Sequence, residues 1–155
     1  MLSVQCSEFI VPAMPRPPRS AYDQTLGLAF FPRTLDKIRL HAAGELPPDY
    51  HANLGQAADA RLCRFLRIDY DKLRERTLAG GTDEEILEWC FENGRRLSEE
   101  DRLIYSKFSA KLGWRDEDTG ATQRLAKFRD DAGLSHRDDI QTIFDFYEVD
   151  EKRRE

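Results

Sequence analysis

The chain predicts an all-α fold: a compact single-domain helical bundle of about six or seven helices, with an extended proline-rich arm at the N-terminus. Three observations carry that expectation. Apolar residues recur at i, i+3, i+4 and i+7 through most of the chain. Capping residues open those runs, and glycines close them. No alternating stretch is bounded by the turn residues of a hairpin. With 155 residues, 40% of them hydrophobic and 34% charged, the chain can bury one core and is too apolar to stay disordered.

Residues 1–20 make the arm and residues 21–155 the domain. Pro12, Pro15, Pro17 and Pro18 hold the arm extended and deny it helix hydrogen bonds. A tethered surface segment is the common outcome; a proline-rich ligand for a partner is the other. Asp23 to Phe31 reads as a short helix ended by the restriction that Pro32 places on Phe31, with Gly27 marking a bend or a close approach. Pro32 then opens a central helix that Gly44 closes, with Phe31 as its N-cap. After the turn-rich Glu45 to Tyr50, Ala57 to Leu66 carries Ala58, Leu62, Phe65 and Leu66 at helical spacing. Asp69 caps a helix through Leu78, which Gly80-Gly81 ends. Thr82 and Glu85 form a capping-box pattern for a helix to Asn93-Gly94. Ser98 starts the next, with Ile104, Phe108 and Leu112 at i, i+4 and i+8, and Gly113 stops it. Thr119 to Ala132 ends at Gly133. Ile140, Ile143, Phe144 and Tyr147 complete the last stripe.

Charge and composition exclude several functions. Residues 1–81 hold 11 basic and 9 acidic side chains, residues 82–155 hold 13 and 20, and the net charge is −5. No basic field is left for nucleic acid, so no such partner is expected. Arg61, Arg64 and Arg67 do line one side of a helix, but Asp59, Asp69 and Asp71 dilute the stripe into a solvated face. No apolar run approaches membrane length, and the first fifteen residues lack the order of a signal peptide, so a cytoplasmic protein with no membrane contact is expected. Cys6, Cys63 and Cys90 lie far apart with no C-x-x-C, which argues against disulfides and structural zinc, and Cys63 and Cys90 sit in apolar helical runs that read as buried thiols.

No metal or cofactor is expected either. His41, His51 and His136 fall in no ligand spacing, although His41 and His51 flank one turn and could converge. The Asp116 to Gly120 run fails as a calcium loop, because Gly120 and Lys127 stand where ligands are needed. There is no P-loop, dinucleotide glycine fingerprint or G-x-S-x-G. Trp89 and Trp114 read as core anchors.

The central helix holds the candidate ligand-binding residues Arg33, Asp36, Lys37, Arg39 and His41. Phe31, Leu35, Ile38 and Ala42 share one face; Arg33, Asp36 and Leu40 lie nearly opposite, with Lys37 beside them. Leu40 interrupts what should be a wholly polar side, so the helix is expected to be covered on both. Asp36 can then pair locally with Arg33. Phe31 offers no cap to the first-turn amides, which leaves either an anion site or a capping side chain from upstream, such as Asp23 or Thr25. The functional expectation is a non-catalytic module binding a small anionic ligand or a partner protein through this helix. The alternative is a small enzyme with Asp36 or His41 as general base and Arg33 or Lys37 holding an anionic substrate. Ligand identity and oligomeric state stay open.

The chain also resembles a known family. Tyr22-Asp23 with Leu26-Gly27, Phe31-Pro32-Arg33 with Leu35-Asp36-Lys37 and Arg39, and Gly44 with Leu46 and Asp49-Tyr50 come first. Asn53-Leu54-Gly55, Asp59 with Arg61, Phe65-Leu66, Tyr70, and Gly81 with Asp83 to Trp89 follow in order. Gly113 to Asp116, Asp139-Ile140, Thr142 and Asp150-Glu151 complete the set. In that order they resemble domain-of-unknown-function family 5069, over roughly residues 22 to 151. Leu28 and Leu112 depart from the family pattern, where a glycine and an arginine stand. The resemblance implies a bacterial cytoplasmic protein and brings no activity with it.

Overall fold

Seven α-helices and one small hairpin make up the described residues of the chain. In this computed structural model those are residues 14–155; residues 1–13, and with them most of the expected arm and Cys6, lie outside the described residues. The helices are α1 Phe31–Ala42, α2 Ala57–Leu66, α3 Tyr70–Leu78, α4 Asp83–Asn93, α5 Glu99–Lys111, α6 Ala121–Asp131 and α7 Ile143–Asp150, with a short 3-10 helix at Pro48–Asn53. Capping boxes at Thr82/Glu85 and Ser98/Asp101 open α4 and α5.

One expected helix is replaced. Within residues 23–31, Gln24–Thr25 (β1) and Leu28–Ala29 (β2) pair antiparallel. Leu26 and Gly27 join them with φ of 48° and 83°. Both signs match a two-residue primed turn, which usually carries Asn-Gly or Asp-Gly. Leu26 gives no such signal, so the hairpin is silent in the sequence. A Cβ on Gly27 would meet nothing within 4 Å, so this glycine serves the turn and not a close approach.

Phe30, left-handed at φ 70°, is the N-cap of α1, one residue earlier than expected, and no side chain caps the helix. Neither Asp23 nor Thr25 folds over it; Asp23 instead accepts from Arg19 Nε at 3.0 Å. Every residue from Phe31 to Ile38 is buried, as is Leu40. α3 and the hairpin pack against α1. Phe31, Leu35 and Ile38 join Leu62 and Leu66 of α2, Leu73 of α3, and Ile86 and Leu87 of α4 in the main core. A smaller core of Leu125, Ile140, Ile143 and Phe146 links α6 to α7, and Tyr147 packs against both.

α5 is turned away from its apolar spacing. Ile104 is 59% exposed and Phe108 45%, while Tyr105, Ser106 and Ser109 face inward. The cause is the hairpin, whose backbone groups need partners once buried. Ser106 Oγ donates to the Gly27 carbonyl at 2.8 Å and accepts from the Ala29 N–H at 2.9 Å. A large apolar residue in its place would leave the buried Ala29 N–H without a partner.

Trp89 packs on the core as expected, but Trp114 does not: it is half exposed, with the Arg115 guanidinium 5.1 Å from its ring centroid. Cys63 and Cys90 are free, and burial pushes both thiols up to about 12. No helix among the described residues is long and apolar enough to cross a membrane.

Candidate functional site

Two places concentrate charge: the buried side of α1, and a cleft between α2 and α5. α1 holds its ionic groups inside the protein, where an unpaired charge would cost several kcal/mol, so each must find a counter-charge. Arg33, 3% exposed in its side chain, forks onto Glu151 with Nη1 at 2.9 Å and Nη2 at 2.5 Å. It also donates to the Arg19 carbonyl at 2.9 Å, and its guanidinium lies 4.6 Å from the Tyr147 ring centroid. Glu151 accepts further from Tyr50 Oη at 2.8 Å and from Arg153. Burial alone would raise the Glu151 carboxyl, but the bonds from Arg33, Tyr50 and Arg153 hold it below the usual glutamate range.

Lys37 Nζ donates to Asp59 at 2.6 Å. Asp59 takes further bonds from Thr34 Oγ1 and the Gly55 N–H, both at 3.1 Å. Burial pushes the Lys37 ammonium below the ordinary lysine value, against the opposing pull of Asp59. Asp36 accepts both Nη atoms of Arg16 at 2.9 Å and the Arg19 N–H at 2.9 Å. The local Asp36–Arg33 pair expected from helical spacing does not form, because partners from distant segments reach each group first. At the exposed end, Arg39 pairs with Asp83 at 2.7 Å. His41 and His51 do converge, edge to face with ring centroids 4.9 Å apart, and His51 Nε2 lies 2.9 Å from the Leu46 carbonyl. Among the described residues no three His, Cys, Asp or Glu side chains gather to hold a metal ion.

The second place follows from the turned α5. Between its outward side and α2 lies an open cleft of about 460 Å³. Phe65 of α2 and Tyr105 of α5 form its floor, stacked with centroids 4.5 Å apart. Ile104 and Phe108 extend that floor. Arg61, Arg64 and Arg67 line the α2 wall, and Arg95 stands at the end. Arg61 lies 5.3 Å over the Phe108 ring and Arg95 4.7 Å over the Phe65 ring.

Local backbone chemistry puts these arginines there. Gly94 lets the chain after α4 press onto the C-terminus of α2: a Cβ at this position would stand 2.2 Å from the Leu66 carbonyl oxygen. The Arg95 N–H then bonds that carbonyl at 2.7 Å. Arg67 closes α2 with φ of 56°. Glycine is usual at such a helix end, and a side chain there costs about 1–2 kcal/mol.

Arg95 pairs with Asp101 at 3.2 Å. Arg61, Arg64 and Arg67 make no ion pair among the described residues. Asp59, expected to dilute the stripe, is 1% exposed and spent on Lys37. A second concavity of about 330 Å³ lies beyond Arg64 and Arg67, and neither space is lined by a residue of α1.

A family model described as "Domain of unknown function (DUF5069)" matches residues 15–153, and the chain belongs to that family. No curated protein matches it.

Proposed function

We propose that this family member is a non-catalytic cytoplasmic module that binds an anionic group, carried by a small ligand or a partner protein, in the cleft between α2 and α5. The observation that carries the reading is the trio Arg61, Arg64 and Arg67, three guanidiniums with no carboxylate partner among the described residues, standing beside an apolar floor. A guanidinium presents five donors in a planar fork that matches carboxylate and phosphate. The cleft volume of about 460 Å³ falls in the range of small-molecule sites.

In this reading α1 is the frame and not the binding face. Arg33, Asp36 and Lys37 are paired with Glu151, Arg16 and Asp59. The enzyme alternative needs a base with a free lone pair turned toward substrate. Asp36 already accepts three hydrogen bonds, and His41 lies against His51 away from both concavities. Cys63 and Cys90, both free thiols, suit a reducing compartment.

The test is titration with anilinonaphthalene sulfonate, an anion with an apolar body, followed by fluorescence. Arg64→Ala and Arg61→Ala are expected to weaken dye binding, while Arg74→Ala on α3 leaves it unchanged. Equal binding by all three variants, at unchanged melting temperature, sinks the reading.

A further inference from the structure

We infer that the anion taken by this cleft is the acidic flank of an amphipathic helix from a partner protein; the inference rests on the α2–α5 cleft being the binding face. Ile104 and Phe108 stand one turn apart on α5, about 6 Å along its axis. Both are half exposed. A helix laid in a groove anchors through apolar residues at the same i, i+3 and i+4 spacing. Across the cleft, Arg61, Arg64 and Arg67 run for about 9 Å along the wall. They meet carboxylates one turn apart on the polar side of such a helix, and charge complementarity of this kind fixes register and partner choice.

Other occupants fit less well. A nucleic-acid strand needs free aromatic faces for its bases. Here Phe65 is covered by Tyr105 and Arg95, and Phe108 by Arg61. The exposed edges left over suit aliphatic side chains, and the net charge of −5 opposes a polyanion. An added strand needs a sheet edge, but the β1–β2 hairpin packs at Ser106, on the opposite side of α5 from Ile104.

The experiment selects helical peptides from a random display library against the full chain, then measures the enriched peptides by fluorescence anisotropy. The expected peptides carry two large apolar residues three or four apart, flanked by Asp or Glu, and bind more weakly as salt rises. Arg64→Glu is expected to weaken them by about fivefold or more, and Ile104→Lys to abolish binding, both at unchanged melting temperature. Enrichment of basic or charge-free peptides, indifference to Arg64→Glu, or tighter binding of a labelled single-stranded oligonucleotide overturns the proposal. Arginine-dependent dye binding without acidic-peptide enrichment overturns the partner alone; loss of both overturns the site as well.

Discussion

Arg33 and Arg64 carry the same charge and live under opposite constraints. Arg33 lies under α7 and the 3-10 turn, matched by Glu151 and stacked on Tyr147. Arg64 stands exposed at the cleft and makes no ion pair among the described residues. Burial explains the difference. A desolvated guanidinium must be neutralised or the fold fails, whereas a wet one can wait for a partner. In this protein the deep charges hold elements together, and the shallow arginines of the cleft make no ion pair among the described residues.

Breaking the deep set should cost most. Glu151→Ala strands Arg33 without its counter-charge and is expected to destabilise by about 3–5 kcal/mol in urea denaturation. Replacing Arg33 by Met and Glu151 by Leu together should recover much of that loss, because no buried charge is then left alone. The pair also sets an acid limb. Glu151 titrates lower folded than unfolded, so its contribution is present above pH 4.5, its ordinary value, and fades as pH falls through the folded value. Glu151→Gln should flatten that limb.

Asp59→Asn tests the second deep pair, with a loss of about the same size at neutral pH. Lys37 already titrates below its ordinary 10.5. Without Asp59 the folded state sheds that proton more readily than the unfolded chain. Stability of the variant should therefore climb with pH toward 10.5, and denaturation from neutral to alkaline pH reads the slope.

Gly94→Ala sits between the two regions. Its Cβ would meet the Leu66 carbonyl, so a loss of about 1–3 kcal/mol is expected, with weaker dye binding as Arg95 is pushed out of place. Smallest on stability is Arg64→Ala, within about 0.5 kcal/mol, although it should remove the dye response. A large stability loss there would erase the contrast between the two regions.

Much of this frame was legible in the sequence. Leu40 in an otherwise polar arc announced that α1 is covered on both sides, and the Thr82 and Ser98 capping patterns placed α4 and α5. What could not be read were the partners, because Arg16, Asp59 and Glu151 lie 20, 22 and 118 residues from the groups they neutralise. Helical spacing sees only neighbours. The cleft stayed hidden for two related reasons. By sequence alone Asp59 belongs with the surface charges of α2, and Ile104 and Phe108 with the apolar stripe of α5. Ser106, by bonding the hairpin, decides which side of α5 turns inward, and nothing in the local pattern of α5 records that contact.

The distance between Arg33 and Glu151 also sets a clock. A ribosome makes α1 first and the carboxylate that neutralises it 118 residues later. At bacterial or eukaryotic elongation rates that delay lasts roughly 6 to 24 seconds. Until Glu151 arrives the guanidinium has no carboxylate to meet it, and burying it alone would cost several kcal/mol. Released chains truncated before residue 151 should therefore stay open to protease, and those that include it should close.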